Sequence, residues 1–429
     1  MDTRLGNFLK TLGPGILFAS TAIGVSHLVQ STRAGAEYGF ELIGLVLITN
    51  LCKYPFFEFG SRYANATGTS LIDGYLKIGK WMLWLYLAIT IGSMFFVGAA
   101  VGAVTAGFMV NLFGVDKYLE NAAIVTTIIL FVICITVLAV GKFNALDKLI
   151  KIIGTTLLIT TIFAFILTLI EGPTEPISTF KKPDIWAEAG IGFMIALMGW
   201  MPTAVDLSTW NSLWTVARIK ESGYKPTLKE TLLDFNIGYI FSAILSICFI
   251  TMGAYLLYGT GKTMPNGSAA FAHEVVNLYT ATMGNWSYPI IAASAFSIMF
   301  GTSIAVFDGY ARSLEQTTQL ILQRKEDEGS KINLYILSLI AVMLGAFLII
   351  WKFGDSLKQL VDLATTISFL IAPIIALVNF RLVSIKYIGR DFTPPLWLQL
   401  LSWVGIIFLT GFSIFYINTN FSAWVNSLF

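Results

Sequence analysis

Charge is what this chain has least of. Of its 429 residues only 12% are Asp, Glu, Lys or Arg, about half of what a soluble domain uses to cover its surface. A water-soluble globular fold is therefore excluded. The two signs nearly cancel, leaving a formal net charge of +2, so there is no basic field for a nucleic-acid partner. The three cysteines, Cys52, Cys134 and Cys248, fall in apolar segments without ligand-like spacing. They read as small buried hydrophobes and not as a disulfide framework. Histidine occurs twice. With no clustered His/Cys set and no nucleophile motif, an enzyme is not expected and no cofactor is called for. The Gly259-Thr260-Gly261 stretch is a lone glycine pair. The opening "MDTRLGNFLKTLGPG" is polar and leads into a long apolar span, unlike a cleavable signal peptide.

What the chain does have is apolar length. Apolar residues make up 56% and the mean hydropathy is +0.76. A helix needs about 20 such residues to cross a bilayer. Eleven segments qualify, at about 13–34, 39–61, 82–113, 121–141, 147–170, 188–214, 233–258, 287–312, 333–351, 358–380 and 396–417. The chain thus reads as one all-α polytopic membrane domain, 1–429, lying in a cell membrane (plasma or inner) in contact with lipid. The stretch "SAAFAHEVVNLYTATMG" is too short and polar to span, and is expected as an external interfacial helix. With the N-terminus inside, nineteen of the 27 Lys and Arg residues fall in inner segments and seven in outer ones. That bias predicts a cytoplasmic N-terminus and an outer C-terminus.

Two spans are interrupted. The first carries Gly24-Val25-Ser26-His27 near its middle. The sixth carries "LMGWMPTAVDL", with Gly199, Met201, Pro202 and Thr203. Free backbone groups at membrane depth cost several kcal/mol unless they line a protein cavity. Five spans separate the start of one from the start of the other, and an odd-numbered repeat inserts with reversed topology. Residues 13–171 and 186–383 are therefore expected as inverted copies, with 396–417 added. Paired broken helices in two halves are the sequence pointer to a secondary transporter's site.

At these residues the chain resembles a family. "GPGILFASTAIGVSHLVQSTRAGAEYGF" is similar to the first helix of the Nramp family of proton-coupled divalent-metal transporters, which have a LeuT-type fold. "NLCKYPFFEFGSRYANATGTSL" is similar to its second helix, and Met201-Pro202-Thr203 falls where that family has Met-Pro-His. The resemblance implies eleven helices, alternating access and a metal cargo. It also exposes departures. The family's Asp-Pro-Gly-Asn metal motif falls on Gly24, Val25, Ser26 and His27, so Gly24 stands for the aspartate and His27 for the asparagine. Thr203 and Ser208 stand for two histidines, and Met201 is retained. No acidic residue lies between Trp81 and Asn111, where the family has proton-path carboxylates.

The ionisable residues at membrane depth are His27, Lys53, Glu58, Asp206, Asp308 and Asp362, each a candidate for function. Three have a plain local reading as i,i+4 pairs: Glu58 with Arg62, Asp308 with Arg312, and Asp362 with Lys358. Lys53 could snorkel, or replace a transported cation as a fixed ammonium, or itself carry a coupling proton. Asp206 is expected just past the second break. Gly24, His27, Met201, Thr203 and Asp206 are the expected substrate-binding residues. His27, Lys53 and Asp206 are candidates for proton or charge coupling, and His27 with Met201 for a soft or borderline metal site. Trp200 and Trp210 flank the break and could wall an organic cargo. Three readings stand. The first is a secondary transporter moving a metal ion, with protons as a coupling partner. The second is a transporter of a small organic solute of amino acid or amine type. The third is a non-transporting membrane sensor or partner protein.

Overall fold

The computed structural model describes residues 11–140, 159–176, 183–323, 333–353 and 356–426. All the regular structure among them is helical. The first span is divided into α1 (Pro14–Ala22), a π-helical turn at Ser26–Ser31 and α2 (Thr32–Tyr38). There follow α3 (Ile43–Thr67), the short α4 (Leu71–Ile78), α5 (Lys80–Phe113) and α6 (Ala122–Val140). Of the fifth expected span, residues 147–158 lie outside the described residues, and α7 (Ile159–Glu171) is its remainder. The sixth is divided into α8 (Glu188–Gly199), a 3-10 turn at Val205–Leu207 and α9 (Ser208–Ser222). Then come α10 (Leu228–Leu257), α11 (Ser268–Met283), α12 (Tyr288–Leu322), α13 (Leu334–Phe353), α14 (Leu357–Leu382), the short α15 (Ile385–Ile388) and α16 (Leu396–Asn426). α11 is the expected non-spanning helix.

Seven of the described helices are long and apolar enough to cross a membrane, namely α5, α6, α10, α12, α13, α14 and α16. α3 is long enough at 25 residues, but Asn50, Lys53, Glu58 and Arg62 dilute its hydropathy. The lipid-facing sides of α6 and α16 expose Ile128, Ile129 and Val132, and Leu400, Val404 and Ile407, as a chain in hydrocarbon requires. Proline alone does not break a helix here, since α3 runs through Pro55 and α14 through Pro373.

Both halves of the first span lie against α10, and glycine sets the distance. A Cβ on Gly15 would lie 2.0 Å from the Asp234 carbonyl oxygen, and one on Gly238 2.0 Å from the Gly15 carbonyl oxygen. Such backbone-to-backbone approach is how helices associate where no hydrophobic effect drives them together. The Asp234 carboxylate accepts from the Gly13 and Gly15 amides at 3.2 and 2.7 Å. It satisfies donors that the start of α1 leaves open. Phe18, Phe57, Phe235 and Tyr239 fill the seam between α1, α3 and α10.

Candidate site at the two helix breaks

In the first span α1 stops at Ala22, and the backbone resumes as a π turn at Ser26. The Ser20 carbonyl is taken by Thr302 Oγ1 of α12 at 2.8 Å. Gly24 is pressed against the same threonine: a Cβ there would lie 2.5 Å from Thr302 Cγ2. This position, expected to bind substrate, has no room for a side chain. In the sixth span α8 stops at Gly199, and α9 starts at Ser208 after the 3-10 turn.

The carbonyls released by that second break hold Lys53. The side chain is fully buried in α3. Its Nζ donates to the carbonyl oxygens of Met198 at 2.5 Å, Gly199 at 2.8 Å and Thr203 at 3.2 Å. An ammonium has three donors, and all three are used. It does not snorkel. The C-terminal end of a helix carries partial negative charge, and Lys53 is the cation seated on that end of α8. Thr203, an expected substrate ligand, contributes its carbonyl to the lysine.

Asp206 lies on the 3-10 turn just beyond, 6% exposed. Among the described residues its carboxylate makes no ion pair within 4 Å. It is within electrostatic reach of Lys53 and of Tyr75, Tyr86 and Tyr310. Tyr86, Thr209 and Ser313 form a hydroxyl cluster beside it, with Tyr86 Oη 2.8 Å from Thr209 Oγ1 and 3.2 Å from Ser313 Oγ. Tyr75 donates to Asn379 Oδ1 at 2.8 Å, and Asn379 Nδ2 to Ser208 Oγ at 2.7 Å. Sequence reading missed these tyrosines, which lie on unbroken helices, where an aromatic residue at helical spacing reads as core packing.

His27 is placed differently from the expectation. Its Nε2 lies 2.8 Å from the Ser242 carbonyl oxygen, so Nε2 carries a proton and donates. Nδ1 lies 2.8 Å from Ser26 Oγ, whose one hydrogen is donated to the Ala22 carbonyl. The ring meets Phe249 edge-on. Nε2 is committed to α10, and Nδ1 is held within the first break against Ser26. Met201 is buried, its Sδ 4.0 Å from Ser31 Oγ, which also lies 3.2 Å from the Ser26 carbonyl oxygen. His27 and Met201, expected as a two-ligand site, engage different partners, Ser26 and the Ser242 carbonyl for the ring and Ser31 for the thioether. Among the described residues no group of three His, Cys, Asp or Glu is placed to hold a metal. Trp200 donates to Ser368 Oγ at 2.9 Å, and Trp210 packs edge-on against Tyr310 at 4.6 Å. Both are buried in the packing.

On one side the breaks are covered by Arg33 of α2. It is buried and bonds Asp362 of α14 through both terminal nitrogens, at 2.8 and 3.2 Å. It also donates to Gln30 Oε1 at 3.1 Å and lies over the Phe193 ring at 4.9 Å. Gln30 reaches the same carboxylate at 2.9 Å. The expected Asp362–Lys358 pair gives way to this one, because the facing helix supplies a better partner than a neighbour on the same helix. The other two local pairs form as expected. Arg62 Nη2 lies 2.5 Å from Glu58, and Arg312 Nε 2.8 Å from Asp308. Asp308 also accepts from Trp214 at 3.0 Å and Tyr335 at 2.8 Å, tying α9, α12 and α13 together.

Two interrupted helices, with the carbonyls freed at the second break seating a buried lysine, suit a multi-pass membrane transporter of the LeuT type. The solved structures similar to this chain agree on the fold. A mutant of the Eremococcus coleocola manganese transporter matches with a TM-score of 0.69 at 12% identity, covering 99% of this chain and 89% of that one. MhsT in complex with L-phenylalanine matches at 0.61 and 12% identity, covering 96% and 99%. The family model described as "Natural resistance-associated macrophage protein-like" matches residues 15–419, and the chain belongs to this Nramp family. An uncharacterized protein of Pasteurella multocida is 35% identical over 417 residues, 97% of this chain and 93% of its own. The divalent metal cation transporter MntH of Levilactobacillus brevis is 21% identical over 436 residues, 96% and 89%.

Proposed function

We propose that the protein is a secondary active transporter that moves a metal ion by alternating access, with protons as the coupling partner. The observation that carries this is the seat of Lys53. Its ammonium occupies the carbonyl cluster that the break in the sixth span releases, which is where a cation cargo would find oxygen ligands. The two cannot share it. A divalent ion and an ammonium about 4 Å apart repel by about 8 kcal/mol at an effective dielectric constant of about 20. That is as large as the whole binding energy of a micromolar ligand, about 8 kcal/mol. For the metal to bind, Lys53 must swing away or give up its proton. Proton and metal then exclude each other at one place, which is a coupling device. Met201, the Met198, Gly199 and Thr203 carbonyls and Asp206 would hold the ion. Thioether and carbonyl ligands favour a soft or borderline metal over Mg²⁺. Family membership and the MntH relatives support the metal as cargo.

The second reading is an organic solute with amine or carboxylate groups. The observation favouring it is the same lysine, because Lys53 and Asp206 together carry no net charge to offset a divalent ion. A thermal-shift screen separates the two, since a ligand of the folded state alone raises the melting temperature. Stabilisation by Mn²⁺ or Zn²⁺, growing as pH rises, supports the metal. A response to amino acids or amines with none to any metal overturns it. We place the Lys- and Arg-rich connectors, and with them the N-terminus, on the cytoplasmic side. The side covered by Arg33 is then the outer one.

A further inference from the structure

A cleft of about 460 Å³ opens between the α3–α4 turn, α9 and α12, with Ser70, Asp73, Lys220, Glu315 and Gln316 among its walls. It stops short of Asp206. On α9 the cleft reaches Leu213. Thr209, four residues earlier, and Asp206, three earlier again, continue inward at helical spacing. On α12 the cleft is lined by Gln316 and, one turn further in, Arg312, and Ser313 and Tyr310 continue inward from Gln316 at helical spacing. What lies between is one layer of side chains. Tyr86 of α5 fills it, its hydroxyl 2.8 Å from Thr209 Oγ1 and 3.2 Å from Ser313 Oγ. Its ring packs against Tyr75 at 5.2 Å. Tyr75, Tyr86, Thr209 and Ser313 are all fully buried or nearly so.

We infer that this cleft is the inner vestibule of the site and that Tyr86 is the bolt between them. This rests on the transport reading of the two breaks. Three features point to a part that opens. The layer is one residue thick. It joins three separate helices, α5, α9 and α12. It is closed by contacts among hydroxyls, which water replaces at little net cost. The layer also separates an open polar cleft from a buried carboxylate that has no ion-pair partner among the described residues. An opening at Tyr86 is the shortest way to connect them.

The test is cysteine accessibility in a background where Cys52, Cys134 and Cys248 are replaced by alanine. Ser93 lies on the far side of the layer, its Oγ 3.5 Å from Tyr310 Oη, and Gln319 lines the cleft. The Ser93→Cys and Gln319→Cys proteins are treated with a methanethiosulfonate carrying a trimethylammonium group. The cleft position is expected to react at one rate whatever stands at residue 86. The Ser93→Cys protein is expected to react slowly with Tyr86 in place. Tyr86→Phe, which keeps the ring and the packing, should raise its rate roughly tenfold, and Tyr86→Ala further. If neither variant raises the rate in protein that still melts cooperatively, Tyr86 is not the bolt. Failure of the transport reading shows differently, as absence of cargo uptake by proteoliposomes while the acceleration remains.

Discussion

Lys53 Nζ lies 2.5 Å from the carbonyl oxygen of Met198, a residue 145 positions away. One side chain of α3 thus closes the end of α8 that the break leaves open, and the state of the site depends on whether Lys53 is in its seat. Lys53→Met keeps the length of the side chain, takes the donor from the buried Gly199 and Thr203 carbonyls, and leaves the Met198 carbonyl with the Met201 amide at 3.3 Å. An unmet buried acceptor costs about 1–3 kcal/mol, so a destabilisation of about 3–5 kcal/mol is expected, read as a lower melting midpoint in detergent. A midpoint equal to that of the parent would show that the carbonyls find other donors. Lys53→Arg, too large for the three-carbonyl seat, is expected to fall between the two.

Gly24, expected from the sequence at the place of the family's aspartate, faces Thr302 with no space for a Cβ between them. Gly24→Ala is expected to cost about 1–3 kcal/mol through overpacking, and Gly24→Asp more. Thr302→Ala should recover much of the loss in Gly24→Ala, a coupling that a double-mutant cycle of melting midpoints measures. Additive losses would mean that the two residues do not touch.

His27 is held between Ser26 and the Ser242 carbonyl. Its substitution is therefore expected to act on stability and not on metal choice. His27→Gln should lower the melting midpoint while retaining most of the shift given by Mn²⁺. Met201→Ala should weaken that shift. Loss of the metal response in His27→Gln with retention in Met201→Ala would reverse the two roles.

The Arg33–Asp362 pair covers one side of the breaks, with the arginine side chain 6% and the aspartate 35% exposed. Asp362→Asn removes the charge that the buried guanidinium faces. Breaking a buried pair costs up to about 3–5 kcal/mol, and with one partner partly in water about 2 kcal/mol is expected for closure. A cysteine placed at Ser31 should then react faster with an impermeant reagent added from that side. An unchanged rate would remove Arg33 from the closure.

The breaks were legible in the sequence because backbone disruption needs particular residues at particular places, Gly24 and Ser26 in one span, Gly199 and Pro202 in the other. Glu58–Arg62 and Asp308–Arg312 were legible because helical spacing alone brings each pair together. The partners of Lys53 were not, since they are backbone oxygens that carry no residue identity. The choice of Arg33 over Lys358 by Asp362 was hidden for a related reason. It depends on how α2 and α14 face each other, and periodicity along one helix does not contain that. His27 was read correctly as lying at a break. The direction of its ring was set by α10, which no local pattern reports.

Uptake of radioactive Mn²⁺ by proteoliposomes containing the purified protein tests the central claim most directly. Saturable uptake above that of empty liposomes is expected, rising as the pH on the side of the ion is raised and the proton on Lys53 competes less. Uptake of an amino acid or amine with none of Mn²⁺, Zn²⁺ or Fe²⁺ at any pH would contradict it.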